Sequence, residues 1–503
     1  MQRINNCENP GTNFKSKIQH FDMPEVQLPV FPNKDFIITN YGAVGNGIHM
    51  NTEAISRAIN DCSSSGGGRV VIPPGIWLTG PITLKSNVNL HVEKGALVLF
   101  TKDFSHYPIV MSHYEGLRTW RCLSPINGEN LENIAITGEG IFDGQGEAWR
   151  PVKKVKMTEA QWEKLINSGG ALNEQGTIWW PTKEALEGER FFKANRGKVL
   201  SKEECEPYKV FMRPNLLSLV NCRKVLLDGP TFQNSPAWNL HPLLCEHVTI
   251  RNVTVRNPWY SQNGDGLDLE SCRNAQIYNS AFDVGDDAIC MKSGKDEEGR
   301  KRGRPTENVR IYGCTVYHGH GGFVVGSEMS GGVRNVYISD CTFIGTDTGI
   351  RFKSTRGRGG VVENIYIENI LMKDIQREAI ILTMHYSVGK AESSKEEENQ
   401  VPPVTDETPE FRNISISNIV CINAERAVHI MGLPELPINN ICFDNILITA
   451  EKGIECSDAT YLKLNNIKLR VKEEYDLTFR NCSNVETLNV ENIDGTEVKV
   501  RNC

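Results

Sequence analysis

Asn308-Val-Arg-Ile311, Asn335-Val-Tyr-Ile338 and Asn364-Ile-Tyr-Ile367 are one phrase repeated, an asparagine followed by apolar residues at the next position and two beyond it. Asn133-Ile-Ala-Ile136, Asn274-Ala-Gln-Ile277, Asn413-Ile-Ser-Ile416 and Asn440-Ile-Cys-Phe443 carry the same phrase. Weaker copies begin at Lys224, His247, Tyr461 and Asn484. Outside insertions the copies recur at roughly 21 to 29 residues, the length of one solenoid coil. A second slot, three residues before the first apolar position, holds Leu131, Cys222, Cys245, Cys272, Val333, Val362, Phe411, Ile438, Ala459 and Cys482. Small apolar side chains and thiols in one slot read as a buried stack, and the repeated asparagine as a hydrogen-bonded ladder at a turn.

Because every copy has the same phase, the strands must run parallel. Parallel strands without crossover helices are what a β-helix provides, each coil pairing with the next at about 4.8 Å. Its open end would expose apolar rungs. Asn51 to Cys62 is placed to cover the first: Ile55, Ala58, Ile59 and Cys62 share a helical face, Asn51 can cap, and Gly66-Gly67-Gly68 ends the helix. From Arg69 onward short period-two runs replace the helical pattern.

The chain of 503 residues carries a net charge of -7, which argues against general binding to nucleic acid or anionic membranes. No apolar run reaches spanning length and no export leader is visible. The expected location is extracellular or periplasmic with a leader removed, with the cytoplasm as the alternative. The 15 cysteines form no CxxC pair, so neither a zinc site nor a disulfide framework is indicated. Residues 1–35 read as an extended lead-in to one domain, 36–503. Three segments interrupt the repeat: about 149–210, rich in tryptophan and phenylalanine with a helical reading from Thr158 to Asn167, and charged or polar loops at 293–305 and 388–410. Insertions in repeat proteins usually gather over the binding face.

Between residues 263 and 353 four polar clusters occupy successive coils: Asn263-Gly-Asp265-Gly, Gly285-Asp286-Asp287, Gly319-His320-Gly321 and Arg351-Phe-Lys353. Neighbours in a regular strand face opposite sides, and an unpaired carboxylate in the core is costly, so Gly285 suggests a strand end or bulge where Asp286 and Asp287 both face outward. Stacked coils then bring three carboxylates, a histidine and two cations into one cleft. Three neighbouring carboxylates repel, so at least one is expected to keep its proton near neutral pH. A protonated carboxyl beside ionised ones is what glycosidic cleavage requires, and the two cations would favour a carboxylated sugar. A calcium site would also gather carboxylates, although nearby cations weaken that reading.

The ordered motifs strongly resemble the family 28 glycoside hydrolases, the polygalacturonase-like enzymes, over about residues 36–490. The resemblance implies an all-β fold, a single-stranded right-handed parallel β-helix, and inverting hydrolysis of α-linked galacturonic acid in pectic poly- or oligosaccharides. It implies Asp286 as general acid, Asp265 and Asp287 holding and activating water, His320 tuning Asp286, and Arg351 with Lys353 gripping the substrate carboxylate. Tyr386 is a further contact, and Asn263 and Lys292 are substrate-binding candidates. No metal or cofactor is expected. Gly264 replaces the usual threonine and Phe352 the usual isoleucine, and neither change removes a reacting group. The aromatic insertion favours exo action. Rhamnogalacturonan-directed hydrolysis, calcium-dependent lyase chemistry and a non-catalytic carbohydrate-binding solenoid stand as alternatives. Trp238, His241 and Asp268 either border the site or pack the coils.

Overall fold

The computed structural model describes residues 23–386 and 401–503, and most of its strands belong to one 31-stranded sheet. The pairings within it are parallel and place equivalent residues of successive coils side by side, as in a parallel β-helix. The chain divides into two compact units, one of Val26–Leu269 with Ser280–Ala288, the other including Glu270–Asn279 and Ile289–Cys503. In the first, Val88, Ile134, Val225 and Val248 pair in sequence across four coils. In the second, Ala275, Val309, Val336, Ile365, Ile414, Ile441, Leu462 and Val485 form one column, each paired with the next. These side chains are buried apart from Val485, so the alternating pattern is a core filled by like residues at one coil spacing.

The residue that opens each repeat has a left-handed backbone, with φ between 53° and 57° at Asn133, Lys224, His247, Asn274, Asn308, Asn335, Asn364, Asn413, Asn440, Tyr461 and Asn484. Asparagine tolerates this region better than other non-glycine residues. Its carboxamide also bridges coils: Asn308 Nδ2 donates to Asn274 Oδ1 at 3.0 Å, Asn335 to Asn308 at 3.2 Å, Asn364 to Asn335 at 3.2 Å, and Asn413 to Asn364 at 3.3 Å. A second ladder lies five residues further on, where Asn369 donates to Asp340, Asn418 to Asn369, Asn445 to Asn418 and Asn466 to Asn445 at 2.7–3.0 Å. The slot cysteines 222, 245 and 272 are buried and Cys482 half-buried; the fourteen described cysteines are all free thiols.

Helix α1 (Thr52–Ser64) buries Ala54, Ile55, Ala58, Ile59 and Cys62 and contacts the first coil strands at Asp35–Ile37, Gly68–Ile72 and Val88–Val92, as its apolar face demands. Asn51 does not cap it. Its Oδ1 accepts from Val44 N at 2.8 Å while Nδ2 donates to His49 O at 2.7 Å, so the buried carboxamide ties the preceding turn instead. The expectation of a helix after Thr158 holds: α2 (Glu159–Asn167) starts at a capping box made by Thr158 and Gln161. The same insertion adds α3 (Lys183–Ala194) and α4 (Lys202–Cys205), which the sequence reading did not separate. Its aromatics make cores of their own, Trp162 with Trp179 and Val152, Trp180 with Ala185 and Leu186, and Phe192 stacked on Phe211 at 5.2 Å.

The segment expected as a charged loop at 293–305 contains a helix, α5 (Asp296–Arg302). Its acidic residues fill the first turn and its basic residues the last, opposing the helix dipole, and Gly303 closes it with φ 56°. Of the expected loop at 388–410, residues 388–400 lie outside the described residues, as does most of the expected lead-in. No helix among the described residues is long and apolar enough to cross a membrane.

Candidate active site

In the first unit, Asp265 lies two residues before the strand Leu267–Glu270, separated from it by Gly266, and Asp286 precedes Asp287, the first residue of the strand Asp287–Lys292. The Gly266 amide donates to Asp287 O at 2.9 Å, locking the two coils in register at this point. Asp286 Oδ1 accepts from the Asp287 amide at 3.0 Å, which turns its side chain back along the strand end. Asp265, Asp286 and Asp287 consequently each present an oxygen within 4.8 Å of the others. Asp265 and Asp287 are buried and Asp286 is half-buried. The strand-end reading of Gly285 is thus realised, since both neighbouring carboxylates converge instead of one entering the core. Such a trio can hold a water molecule or bracket a hard cation.

The glycines of these motifs are required by what surrounds them. A Cβ on Gly285 would lie 2.4 Å from Ser261 Oγ and 2.6 Å from Pro258 O, and one on Gly264 would lie 1.8 Å from Ser261 Oγ. The 258–261 turn therefore sits directly on the backbone that carries the carboxylates. Asn263, with φ 53°, accepts from Arg213 Nη2 at 2.9 Å through Oδ1, and Arg213 Nη1 also donates to Gln262 O at 2.8 Å and Pro236 O at 3.0 Å. Arg213 lies just beyond the aromatic insertion and is a partner the sequence reading did not find. It is held in turn by Arg121, which donates to Arg213 O and stacks its guanidinium 3.8 Å above the Tyr114 ring. Tyr114 packs 5.1 Å from Trp238, which meets His241 edge-on at 5.1 Å, and His241 Nδ1 is 3.1 Å from Asn215 Nδ2. Trp238 and His241 thus belong to a buried polar–aromatic wall with the hairpin Ile109–Tyr114 and Leu117–Cys122, while Asp268 is fully buried on its strand.

In the second unit, the Gly319-His320-Gly321 turn enters the strand Gly321–Gly326. A Cβ on Gly322 would strike the Phe343 ring at 2.5 Å. His320 Nε2 is 3.7 Å from Asp347 Oδ2, and the Asp347 amide donates to Gly319 O at 2.8 Å. Asp347 is another residue that no motif marked. On the strand Ile350–Lys353, Arg351 and Lys353 alternate with Phe352, which is wholly buried between Phe323 at 6.2 Å and Phe411 at 6.1 Å. Phenylalanine in place of isoleucine is therefore a packing change. Arg351 and Lys353 lie 5.6 and 5.1 Å from the centre of the Tyr386 ring, so the sequence candidates Arg351, Lys353 and Tyr386 form one cluster. Lys292 is buried and its Nζ is 2.9 Å from Glu328 Oε2, which commits its charge to a residue outside every motif.

A parallel β-helix whose coil edge gathers three carboxylates defines the class of protein, a β-helical polysaccharide-active enzyme with acid–base chemistry. The chain belongs to the glycosyl hydrolases family 28, whose sequence model matches residues 152–469. It is 30% identical to a probable polygalacturonase of Vitis vinifera, over 82% of this chain and 73% of the relative. It is 26% identical to an exo-poly-alpha-D-galacturonosidase of Dickeya chrysanthemi, over 86% and 70%. The fold is similar to that of a hyperthermoactive exopolygalacturonase from Thermotoga maritima, with a TM-score of 0.72, 29% identity, and 91% and 96% of the two chains covered.

Proposed function

We propose that this glycoside hydrolase removes single galacturonic acid residues from the ends of α-linked pectic chains by inverting hydrolysis. The observation that carries the reading is the convergence of Asp265, Asp286 and Asp287 to within 4.8 Å. Asp286, the most accessible of the three, gives its proton to the glycosidic oxygen as the bond from that oxygen to the anomeric carbon breaks. Asp265 and Asp287 hold a water and take its proton as its oxygen bonds to the same carbon. His320 is held by Asp347 and takes the tuning role that the family resemblance gives it, and the cluster of Arg351, Lys353 and Tyr386 recognises a sugar carboxylate. Asn263 and Lys292 act through their partners, Arg213 and Glu328.

Inversion follows from the family resemblance, in which a water held by two carboxylates attacks opposite the leaving oxygen. Exo action is supported by the wall of Tyr114, Arg121 and Arg213 tied to the Asn263 turn, and by similarity to the exo-acting enzymes of Dickeya chrysanthemi and Thermotoga maritima. Digestion of a long oligogalacturonide, with early products resolved by size and anomer, tests this. Monomer of inverted configuration is expected, while mixed oligomers at early times would refute exo action and an unsaturated product would refute hydrolysis. Asp286→Asn is expected to lower kcat by at least about a hundredfold with substrate binding retained. An active variant would mean that the acid lies elsewhere.

A further inference from the structure

Behind the wall that Tyr114 and Trp238 make, the first unit carries a cleft of about 750 Å³, lined by none of the residues assigned to the reaction. Its floor is formed by two paired strands, Ile126–Glu129 and Leu217–Val220, with Asn127 beside Ser218. One side is the hairpin strand Ile109–Tyr114, through Val110–His113. The other is the chain from Thr83 to Ser86, where Ser63 of α1 donates its Oγ to Ser86 O at 3.0 Å. Ser218 pairs in turn with His241 on the next coil, and from that coil the Asn239 amide donates to Asp265 O at 2.9 Å on the one after. The cleft therefore lies two coils, on the order of 10 Å along the axis, from the nearest catalytic carboxylate.

Its polar groups are held in place and left unsatisfied. Ser124 and Ser218 are only 7% and 8% exposed, yet neither hydroxyl has a hydrogen-bond partner among the described residues. Asn127 Nδ2 donates to Ile82 O at 3.2 Å and Ser124 O at 3.0 Å, which fixes the carboxamide and leaves Oδ1 without a donor among the described residues. Buried polar groups are as a rule paired, so such a set marks a place where a ligand supplies the partners. At the rim Lys85 and Glu129 are exposed, and neither has an ion-pair partner among the described residues. Arg118 also lines the cleft, so a chain of net charge -7 here sets two cations against one carboxylate. Leu84, Met111, Leu123 and Val220 supply apolar surface between the polar groups. Hydroxyls, a fixed amide and apolar side chains around an unpaired ammonium suit a sugar that bears a carboxylate. We propose that this cleft is a second, non-catalytic site for an acidic pectic segment, holding a neighbouring stretch of substrate while a chain end is cleaved beyond the wall. The identity of the ligand rests on the galacturonide reading of the active site. A polymer that engages both sites makes its second contact intramolecularly and gains affinity, whereas a trimer cannot occupy both.

The test compares KM for polygalacturonate with KM for trigalacturonate in the parent, Lys85→Glu, Ser218→Leu and Lys94→Glu. Lys94 is an exposed lysine outside the cleft, so its variant carries the same change of charge elsewhere. Lys85→Glu and Ser218→Leu are each expected to raise KM for the polymer roughly tenfold, the scale of one charge-assisted hydrogen bond. KM for the trimer, and kcat on both substrates, should stay at the parent's values, and Lys94→Glu should match the parent throughout. If Ser218→Leu does not fold, Lys85→Glu at the exposed rim decides alone. An unchanged polymer KM in Lys85→Glu overturns the proposal. So does a trimer KM that rises with the polymer's, which would make the cleft part of the catalytic groove, or an equal rise in Lys94→Glu, which would make the effect one of general charge. If the parent cleaves neither substrate, the functional reading fails by itself. Equilibrium binding of trigalacturonate then tests the cleft: binding that Lys85→Glu weakens supports the site, and absent or unaltered binding overturns it.

Discussion

Gly264 occupies the place where the polygalacturonase pattern has threonine, and its surroundings fix that choice. A Cβ there would stand 1.8 Å from Ser261 Oγ and 2.7 Å from Ser261 Cβ, so the side chain of 261 fills the volume that a threonine at 264 would need. Gly264→Thr should destabilise the protein by about 1–3 kcal/mol, the usual cost of overpacking, and lower kcat by displacing Asp265. Adding Ser261→Gly should recover much of both losses. Urea unfolding and initial rates of the two variants check this, and a G264T protein as stable as its parent would contradict it. The exchange illustrates what a motif conveys. Asp265, Asp286 and Asp287 were readable because local glycines and acidic pairs mark them, whereas Arg213, Asp347 and Glu328 were not. Arg213 reaches Asn263 from 50 positions away and Glu328 meets Lys292 from 36, and such partners carry no local signature.

At the scale of the coil, the asparagine ladder was legible because one residue type recurs at one phase. The second corner was not, although it is as regular. Five residues after each ladder position the backbone is again left-handed, but the residue there is Gly138, Gly229, Asn252, Asn279, Gly313, Asp340, Asn369, Asn418, Asn445, Asn466 or Asn489. Positive φ selects a conformation that glycine, asparagine and aspartate all adopt, so the constraint is constant while the letter varies. The helix at Asp296–Arg302 was missed for a related reason, since its charges read as a solvated loop until their order along the helix axis is considered. The ladder makes a measurable claim. Asn364 donates to Asn335 and accepts from Asn413, and its φ is 55°. Asn364→Gly loses the carboxamide bonds but keeps the backbone, at about 1 kcal/mol. Asn364→Ala also places a Cβ in the left-handed region, adding about 1 kcal/mol more. Chemical denaturation should therefore rank parent above N364G above N364A. If alanine proves equal to or better than glycine, backbone conformation is not what selects the ladder residue.

A solenoid accepts additions without changing its register, and this chain shows the consequence at full length. Ile141–Asp143 pairs directly with Thr231–Gln233, and Phe142 stacks on Phe232 at 5.4 Å, although the whole aromatic insertion lies between them in sequence. The insertion folds on tryptophan and phenylalanine clusters of its own, so the coils pay no packing penalty for carrying it. It meets the carboxylate end at two points: the Val152, Trp162 and Trp179 core packs against Tyr260 of the 258–261 turn, and Arg213 at its far boundary is joined to Asn263 and braced by Arg121 and Tyr114 of the hairpin. If this brace closes the groove, the choice between terminal and internal cleavage is set by a few side chains on an unchanged scaffold. Tyr114→Ala with Arg121→Ala removes the stacked pair and the donor to Arg213 while leaving the three carboxylates and the coil pairing untouched. The double variant should unfold at a lower temperature than the parent, as loss of a packed aromatic–guanidinium pair requires, yet remain folded and still cleave oligogalacturonides, releasing di- and trigalacturonate alongside monomer from the first time points. Chromatography of early digests decides the matter. Monomer as the sole early product from a folded, active double variant would move the origin of exo action away from this wall and onto the remaining insertion surface.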